Sequence, residues 1–457
     1  MSLKDNIGII IVIGLFILTN IIFFNYNSIF WDSAVYIGMG KYIYSFGKAG
    51  LWEPSRPILL PLFLGLIWKI GLNPVLFGKI FSLLSSIGCI LLTYLIAKKI
   101  FNKNIALISS LFLAFSYTFI FFSIKILSEI PSLFFILLSI YFFINKKFFL
   151  TGLFAGIAFL TRFLEIFVFF VIFALFFIYF RKENRFVQKF FRMLIGFLII
   201  LTPYLILNYI LYKNLFYPFI LQLFLTKNTG FMYHQPILFY FASLFRENIL
   251  FVFAIIGLIL IFKKPEYRKL VILSSFLIFF LFFSFISHKE TRFMLLFLPY
   301  LCIIASYGIF TILKTKNKKL SFYSIILILL IFFSQAVYNI KYNYFVGEDG
   351  RYSVFENYLD QSEGIIWLSN PIYSVFSNKK IDELMYYPTF NHDKFLELSS
   401  NLNKASNVLI NTCDLYCEPY NNLCSIDKNE FIRLLKNNFE IVYYGTEEEC
   451  ESYILRK

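Results

Sequence analysis

Arg56-Pro57-Ile58-Leu59-Leu60-Pro61-Leu62-Phe63-Leu64-Gly65-Leu66-Ile67-Trp68-Lys69-Ile70 is the stretch on which the topology of this chain turns. Its apolar part, residues 58–70, would cover about 20 Å as a helix. A hydrocarbon core is roughly 30 Å thick, so the run is short for a span. Charge decides the matter. Were it to cross, the basic loop Lys98-Lys99-Ile100-Phe101-Asn102-Lys103 would fall on the outer side. Basic loops stay in the cytoplasm. The run is therefore expected to lie on, or dip into, the outer face. The segment before it, residues 34–46, puts Val35, Met39, Tyr42 and Phe46 on one helical face, an interfacial pattern. Residues 25–74 are thus an outer loop carrying two juxtamembrane helices.

Working outward, apolar runs recur along most of the chain. Of its 457 residues 59% are hydrophobic and 15% are charged, with 63 Phe and 31 Tyr. Soluble domains run near 25% charged. Continuous runs of this length satisfy their backbone in lipid only as helices. The net charge of +15 would suggest nucleic acid in a soluble protein. Here most Lys and Arg sit in short loops: 98–103, 145–147, 181–192, 263–269 and 314–319. All five are expected inside. Spans near 7–24, 75–97, 104–122, 130–144, 148–162, 164–180, 192–211, 248–262, 269–286, 293–313 and 320–338 satisfy that placement. The expected fold is an all-α polytopic membrane protein of about 11 transmembrane helices. The first run follows residues 1–6 without a small-residue cleavage site and reads as a span rather than a cleavable signal.

Beyond Tyr338 the composition turns polar. Residues 1–340 are expected to form the transmembrane catalytic domain. Residues 341–457 are expected to form a small extracytoplasmic α/β domain. Strand-like runs at 364–368, 408–410 and 441–444 alternate there with a helix-like run at 429–437. Four of the six cysteines, Cys413, Cys417, Cys424 and Cys450, lie in this domain. No His neighbours them and no CxxC pairs occur, so two disulfides are favoured over a metal site, with three connectivities open. Cys89 and Cys302 fall in spans and read as packing residues.

Charges beside a membrane are costly and usually have a purpose. Four outer-face groups stand out. Asp32, in Phe30-Trp31-Asp32-Ser33, has the chemistry of a general base or metal ligand, and equally of an N-cap for the helix that follows. Trp52-Glu53-Pro54-Ser55-Arg56-Pro57 sets an Arg fork at a helix start, a phosphate-binding arrangement, although Arg56 could also simply snorkel. Lys125 and Glu129 are four apart, which allows a plain intrahelical pair, or leaves Glu129 as a second acid. Ser287-His288-Lys289-Glu290-Thr291-Arg292-Phe293 packs four ionisable groups between two spans. It favours a cationic grip on a lipid phosphate, with Glu290 holding Lys289 or Arg292, and Arg162 joining. There is no Walker motif or Rossmann fingerprint, which argues against a nucleotide-sugar or ATP user.

With these residues in order, the chain resembles the GT-C superfamily of membrane glycosyltransferases. The likeness is to the protein O-mannosyltransferase and aminoarabinose-transferase-like branch. Four pieces carry it: Trp31-Asp32, Arg56-Pro57 leading through Pro61, Leu127-Ser128-Glu129-Ile130-Pro131-Ser132-Leu133, and the Gly152 to Arg162 run. The His288 to Phe293 stretch resembles a motif of dolichol-linked mannosyltransferases in the same superfamily. The resemblance implies a polyprenyl- or dolichyl-phosphate sugar donor and an inverting transfer to an acceptor hydroxyl on the outer face. The acceptor would be a protein, a lipid-linked glycan or a cell-surface glycan. Asp32 takes the position of the catalytic base and Glu129 the second acidic position, with Glu53 and Glu290 in support. Arg56 holds the donor phosphate, with Arg292, Lys289, His288 and Arg162 as further candidates. Some members use a divalent ion, Mg2+ or Mn2+, for which Asp32 and Glu129 would be ligands. The implied location is the cell membrane, with active site and C-terminal domain outside.

Two other classes compete. A lipid-linked glycan flippase or polymerase would not need Asp32 and Glu129 both facing outward. A secondary transporter predicts an inverted repeat and mid-membrane charges. No such repeat is visible, and the charges sit at the outer edges.

Overall fold

The computed structural model describes residues 6–24, 29–228, 230–313, 318–343, 353–386, 390–418, 420–447 and 449–457. The chain is mostly helical, with one small sheet near its C-terminus, and it forms two compact units. The first comprises residues 1–26, 79–217 and 233–346. The second comprises residues 27–78, 218–232 and 347–457. The division expected at residue 340 is therefore not the one that contacts draw. Residues 27–78 group with the C-terminal segment because backbone and side chains of the two interlock, as described below.

All eleven expected runs are helical. Among the described residues, five helices are long and apolar enough to cross a membrane: Pro74–Ile100, Phe163–Phe180, Phe186–Tyr212, Tyr267–Phe285 and Tyr323–Tyr342. A sixth arises if Phe239–Glu247 and Ile249–Lys263, bent by 117°, count as one span. The others are apolar helices of 10–17 residues. The expected 104–122 span is Lys103–Ala114 followed by Tyr117–Phe122, broken at Phe115-Ser116. The 293–313 span starts as a 3-10 turn, Thr291–Leu296, before Leu298–Leu313. The outer segment expected between Tyr212 and Asn248 holds two helices of its own, Tyr217–Asn228 and Phe239–Glu247.

Within the first unit the helices have two chemically distinct ends. At one, Lys146 Nζ and Lys189 Nζ both pair with Glu183, at 2.8 and 2.7 Å. Tyr267 packs there on Phe143 and Phe180, joining the 263–269 loop to the 145–147 and 181–192 loops. Phe101 of the 98–103 loop meets Tyr307 at 4.4 Å. Residues 314–317 of the fifth basic loop lie outside the described residues. Glu129–Ile144 and Phe148–Thr161 run from this basic end to the other, about 20–24 Å away at helical rise. Glu129 and Arg162 stand at that far end.

Glycine sets one helix contact near the basic end. A Cβ on Gly152 would lie 1.8 Å from the Met193 carbonyl oxygen, and one on Gly196 2.2 Å from that of Phe149. Helices Phe148–Thr161 and Phe186–Tyr212 thus touch backbone to backbone, which small residues permit in membranes. This contact anchors the helix whose last residue precedes Arg162.

In the second unit, the expected juxtamembrane helices are Trp31–Tyr44 and Leu59–Lys69. They cross at Gly40 and Gly65, where a Cβ on either would meet the other's backbone at 2.4–2.6 Å. The amphipathic reading of the first helix does not hold. Ser33 to Lys41 are all buried, and Phe46 lies past the helix end, 90% exposed. The reason is the C-terminal segment. Lys41 Nζ donates to the carbonyls of Val375 and Ser377, at 2.8 and 2.9 Å, and Ser374 Oγ to that of Ala34. Gly50 pairs with the backbone at Lys379 and Ile381.

The sheet has strands β1 (Ile366–Leu368), β2 (Glu383–Leu384), β3 (Asn407–Asn411), β4 (Glu440–Glu447) and β5 (Cys450–Arg456), in the order β2-β1-β3-β5-β4. β1 is parallel to β2 and β3, and β5 is antiparallel to β3 and β4. Helix Asn422–Asn438 packs Phe431 and Leu435 against Val408, Ile410 and Tyr453 in the domain core. Both expected disulfides form, as Cys413–Cys450 and Cys417–Cys424, and Cys89 and Cys302 are buried thiols.

Candidate active site

The site residues fall into two clusters, one in each unit. In the second unit Asp32 is the second residue of helix Trp31–Tyr44. The N-cap is Phe30, so the capping role weighed for Asp32 is not used. A first-turn carboxylate still complements the helix dipole. The Asp32 side chain meets Arg56 instead, Oδ1 to the guanidinium at 2.9 Å. Arg56 does not open the next helix. That helix begins at Leu59 with Ile58 as N-cap, and Arg56 closes a turn on the Glu53 carbonyl. Its Nε donates to Glu53 Oε1 at 2.9 Å. Burial alone would lower the Arg56 pKa, but the Asp32 and Glu53 carboxylates beside it reverse that and push it up. The guanidinium is a fixed cation between two acids.

Glu53 Oε1 accepts two further hydrogen bonds, from Ser55 Oγ and Tyr386 Oη, each 2.9 Å long. Tyr386 also packs its ring on Trp31, centroids 5.2 Å apart. It follows β2, 333 positions along the chain from Glu53. Nothing in the sequence pattern points to it.

In the first unit Glu129 opens helix Glu129–Ile144, and Lys125 lies in the turn before it. The two do not share a helix, so the intrahelical pair is not formed. Glu129 Oε1 pairs with Arg162 at 2.9 Å and lies 3.5 Å from Arg292 Nε. Arg162 also donates to Ser128 Oγ. Arg292 reaches Glu290 at 2.7 Å, and His288 Nε2 meets the same Glu290 oxygen at 2.7 Å. Burial would raise the Glu290 pKa, but Arg292 and His288 outweigh it and hold the carboxyl below its usual range. Both guanidinium groups lie over the Phe293 ring, at 5.3 and 5.6 Å. His288 stacks on Tyr233. Glu290 holds Arg292 rather than Lys289, whose ammonium donates to the Gln235 and Ile286 carbonyls. Lys289 thus fastens a loop.

Sequence reasoning passed over Glu165, fully buried and hydrogen-bonded by Ser132 Oγ at 2.9 Å. A carboxylate inside an apolar run is the signal that could have found it. Among the described residues, no group of three or more His, Cys, Asp or Glu side chains is placed to hold a metal ion. Asp32 and Glu129 face guanidinium groups, a donor set that does not fit a divalent cation within either unit.

Residues 55–207 match the family model of dolichyl-phosphate-mannose-protein mannosyltransferases. The fold is similar to that of ArnT from Cupriavidus metallidurans bound to undecaprenyl phosphate, with a TM-score of 0.68 and 11% identity over 97% of each chain. It is also similar to the archaeal oligosaccharyltransferase AglB from Archaeoglobus fulgidus, in complex with an inhibitory peptide and a dolichol-phosphate. There the TM-score is 0.65 at 13% identity, over 99% of this chain and 74% of that one. Comparison of the sequence with curated proteins finds no match. The likeness to these two solved structures thus extends over the fold of nearly the whole chain.

Proposed function

We propose, with that shared fold and the matched segment as premise, that this protein is a membrane glycosyltransferase. It moves a sugar from a polyprenyl- or dolichyl-phosphate donor to an acceptor hydroxyl at the extracytoplasmic face. The observation that carries this reading is the Asp32–Arg56 pair, a carboxylate and a fixed cation 2.9 Å apart. Such a pair has the two parts that the reaction needs.

Asp32 takes the proton of the acceptor hydroxyl as its oxygen bonds to the anomeric carbon. The bond from that carbon to the phosphate oxygen breaks on the opposite side, so the centre inverts. The electron pair leaves with the lipid phosphate, and Arg56 steadies that charge. Within the first unit, Arg162, Arg292 and His288 form a separate cationic cluster, a further candidate for holding a lipid phosphate. Glu129 and Glu290 hold those cations in place. No step passes through a metal. The placement of the basic loops at one end of the first unit supports an active side opposite the cytoplasm.

The test is transfer by the purified protein from radiolabelled polyprenyl-phosphate sugars to candidate acceptors. Asp32→Asn should lower kcat by about 10²–10⁴-fold, the usual share of a general base. Transfer at the wild-type rate by that variant would remove Asp32 from the mechanism.

A further inference from the structure

Glu53 carries an unused acceptor inside this cluster. Its Oε1 already takes three donors, Ser55 Oγ, Arg56 Nε and Tyr386 Oη. Its Oε2 is buried and has no hydrogen-bond partner among the described residues. The residue as a whole is 7% exposed. A bare buried carboxylate oxygen is unfavourable, and in a native site it calls for a donor from elsewhere. Ser55 Oγ, Arg56 Nε and Tyr386 Oη all go to Oε1, and the Arg56 Nη2 group goes to Asp32. Burial and the Glu53 carboxylate push the Tyr386 pKa up, so its hydroxyl keeps its proton.

The position of Glu53 narrows the ligand. Its other oxygen is hydrogen-bonded to Arg56, the residue assigned to the donor phosphate. A group held by Oε2 therefore lies within a few ångströms of that phosphate. In a polyprenyl-phosphate sugar, the groups at that distance are hydroxyls of the sugar ring. We infer that Glu53 is a specificity-determining residue whose Oε2 accepts a hydrogen bond from a hydroxyl of the transferred sugar, and that Tyr386 is the positioning residue that fixes it. The inference rests on the reading of the Asp32–Arg56 pair as the donor site. It gives the C-terminal domain a share in the site, since Tyr386 follows β2 and braces both Glu53 and Trp31.

The experiment uses the full-length protein with decaprenyl-phosphate mannose, glucose and galactose, their monodeoxy analogues, and bare decaprenyl phosphate. Glu53→Gln puts an amide donor where the acceptor was, and Tyr386→Phe removes one hydroxyl with little change in shape. With the preferred sugar, Glu53→Gln should raise donor KM about tenfold and Tyr386→Phe severalfold, acceptor KM being unchanged. With the analogue lacking the recognised hydroxyl, both variants should match the wild type. The extra thermal shift that the sugar adds over bare decaprenyl phosphate should shrink in both. Equal losses with every deoxy analogue, wild-type behaviour of both variants, or a rise in acceptor KM alone would each overturn the inference. If Glu53→Gln does not fold, Tyr386→Phe decides it. An inactive Asp32→Asn beside unaffected Glu53 and Tyr386 variants sinks this inference and leaves the proposed function standing. A wild type that neither binds nor uses any of these donors sinks both.

Discussion

The two clusters are built from the same side chains in opposite proportion. In the second unit two carboxylates, Asp32 and Glu53, share one guanidinium. In the first unit two guanidiniums, Arg162 and Arg292, share Glu129, and Glu290 adds only one more acid against Arg292 and His288. An acid-rich cluster keeps a carboxylate to spare as a base. A cation-rich one suits a phosphate. Sequence separation differs in the same way. Asp32, Glu53 and Arg56 lie within 25 residues of one another, while Glu129, Arg162 and Arg292 come from three separate segments. The division of labour we propose between base and grip thus follows local charge balance more than residue type.

The sharpest way to break that contrast is to neutralise one acid from each cluster. Asp32→Asn should abolish most transfer at a smaller cost in stability, because Arg56 keeps its pairing with Glu53. Glu129→Gln should show its main loss in stability, because it takes the carboxylate from Arg162 and leaves Arg292 with Glu290 alone. Breaking one partner of a buried ion pair costs about 3–5 kcal/mol. If Glu129→Gln proved as stable as the wild type but catalytically dead, Glu129 would be a second acid in the reaction and the contrast would collapse.

A smaller effect apportions the grip. Glu129→Gln combined with Arg162→Gln should be less destabilised than the sum of the single changes, by about 0.5–3 kcal/mol, the usual coupling of contacting charges. The same cycle with Arg292 should give less, since its Nε stands 3.5 Å from Glu129 against 2.9 Å for Arg162. Additivity of both cycles would mean that Glu129 does not organise the cations. Unfolding monitored in detergent for the wild type and the five variants gives both coupling terms.

Much of this was legible in the sequence. The apolar runs became helices where hydropathy put them, and the 58–70 run is an 11-residue helix, Leu59–Lys69, in the second unit with Asp32 and Arg56. Charges close in sequence were also legible, because a short loop leaves them few places to go. Helix starts were not. Trp31 and Asp32 entered their helix early, and Leu59 entered late, since tertiary pairing between Asp32 and Arg56 outweighed local capping. Long-range partners left no trace at all. Tyr386 reaches Glu53 across the chain, and the polar C-terminal composition concealed that residues 375–381 bury helix Trp31–Tyr44. β5 was missed because the acidic stretch before Cys450 masked its alternation, and the disulfide pairing was one of three that spacing alone leaves equal.

The smallest predicted effect extends the contrast to acids with and without a guanidinium. Glu290 sits beside Arg292, and its pKa is lowered from 4.5. Its contribution to stability is present above that ordinary value and is lost as pH falls through the lower folded one. Asp414, in the C-terminal domain, has no Arg. Burial pushes its pKa up from 3.8 to about 7, against the hydrogen bond from Ser369 Oγ and the charge of Lys428. Its sign is opposite: stability is fully present below pH 3.8 and is lost as pH rises to about 7. Asp414→Asn should therefore flatten the fall in melting temperature between pH 4 and 7, by on the order of a few degrees. Glu290→Gln should leave that limb alone and instead remove the decline on the acid side of the ordinary carboxylate range. A melting-temperature series from pH 3 to 8 on the two variants reads both limbs. Should Asp414→Asn leave the neutral limb unchanged, another group sets it, and the domain's buried carboxyl is ionised in the folded state at neutral pH.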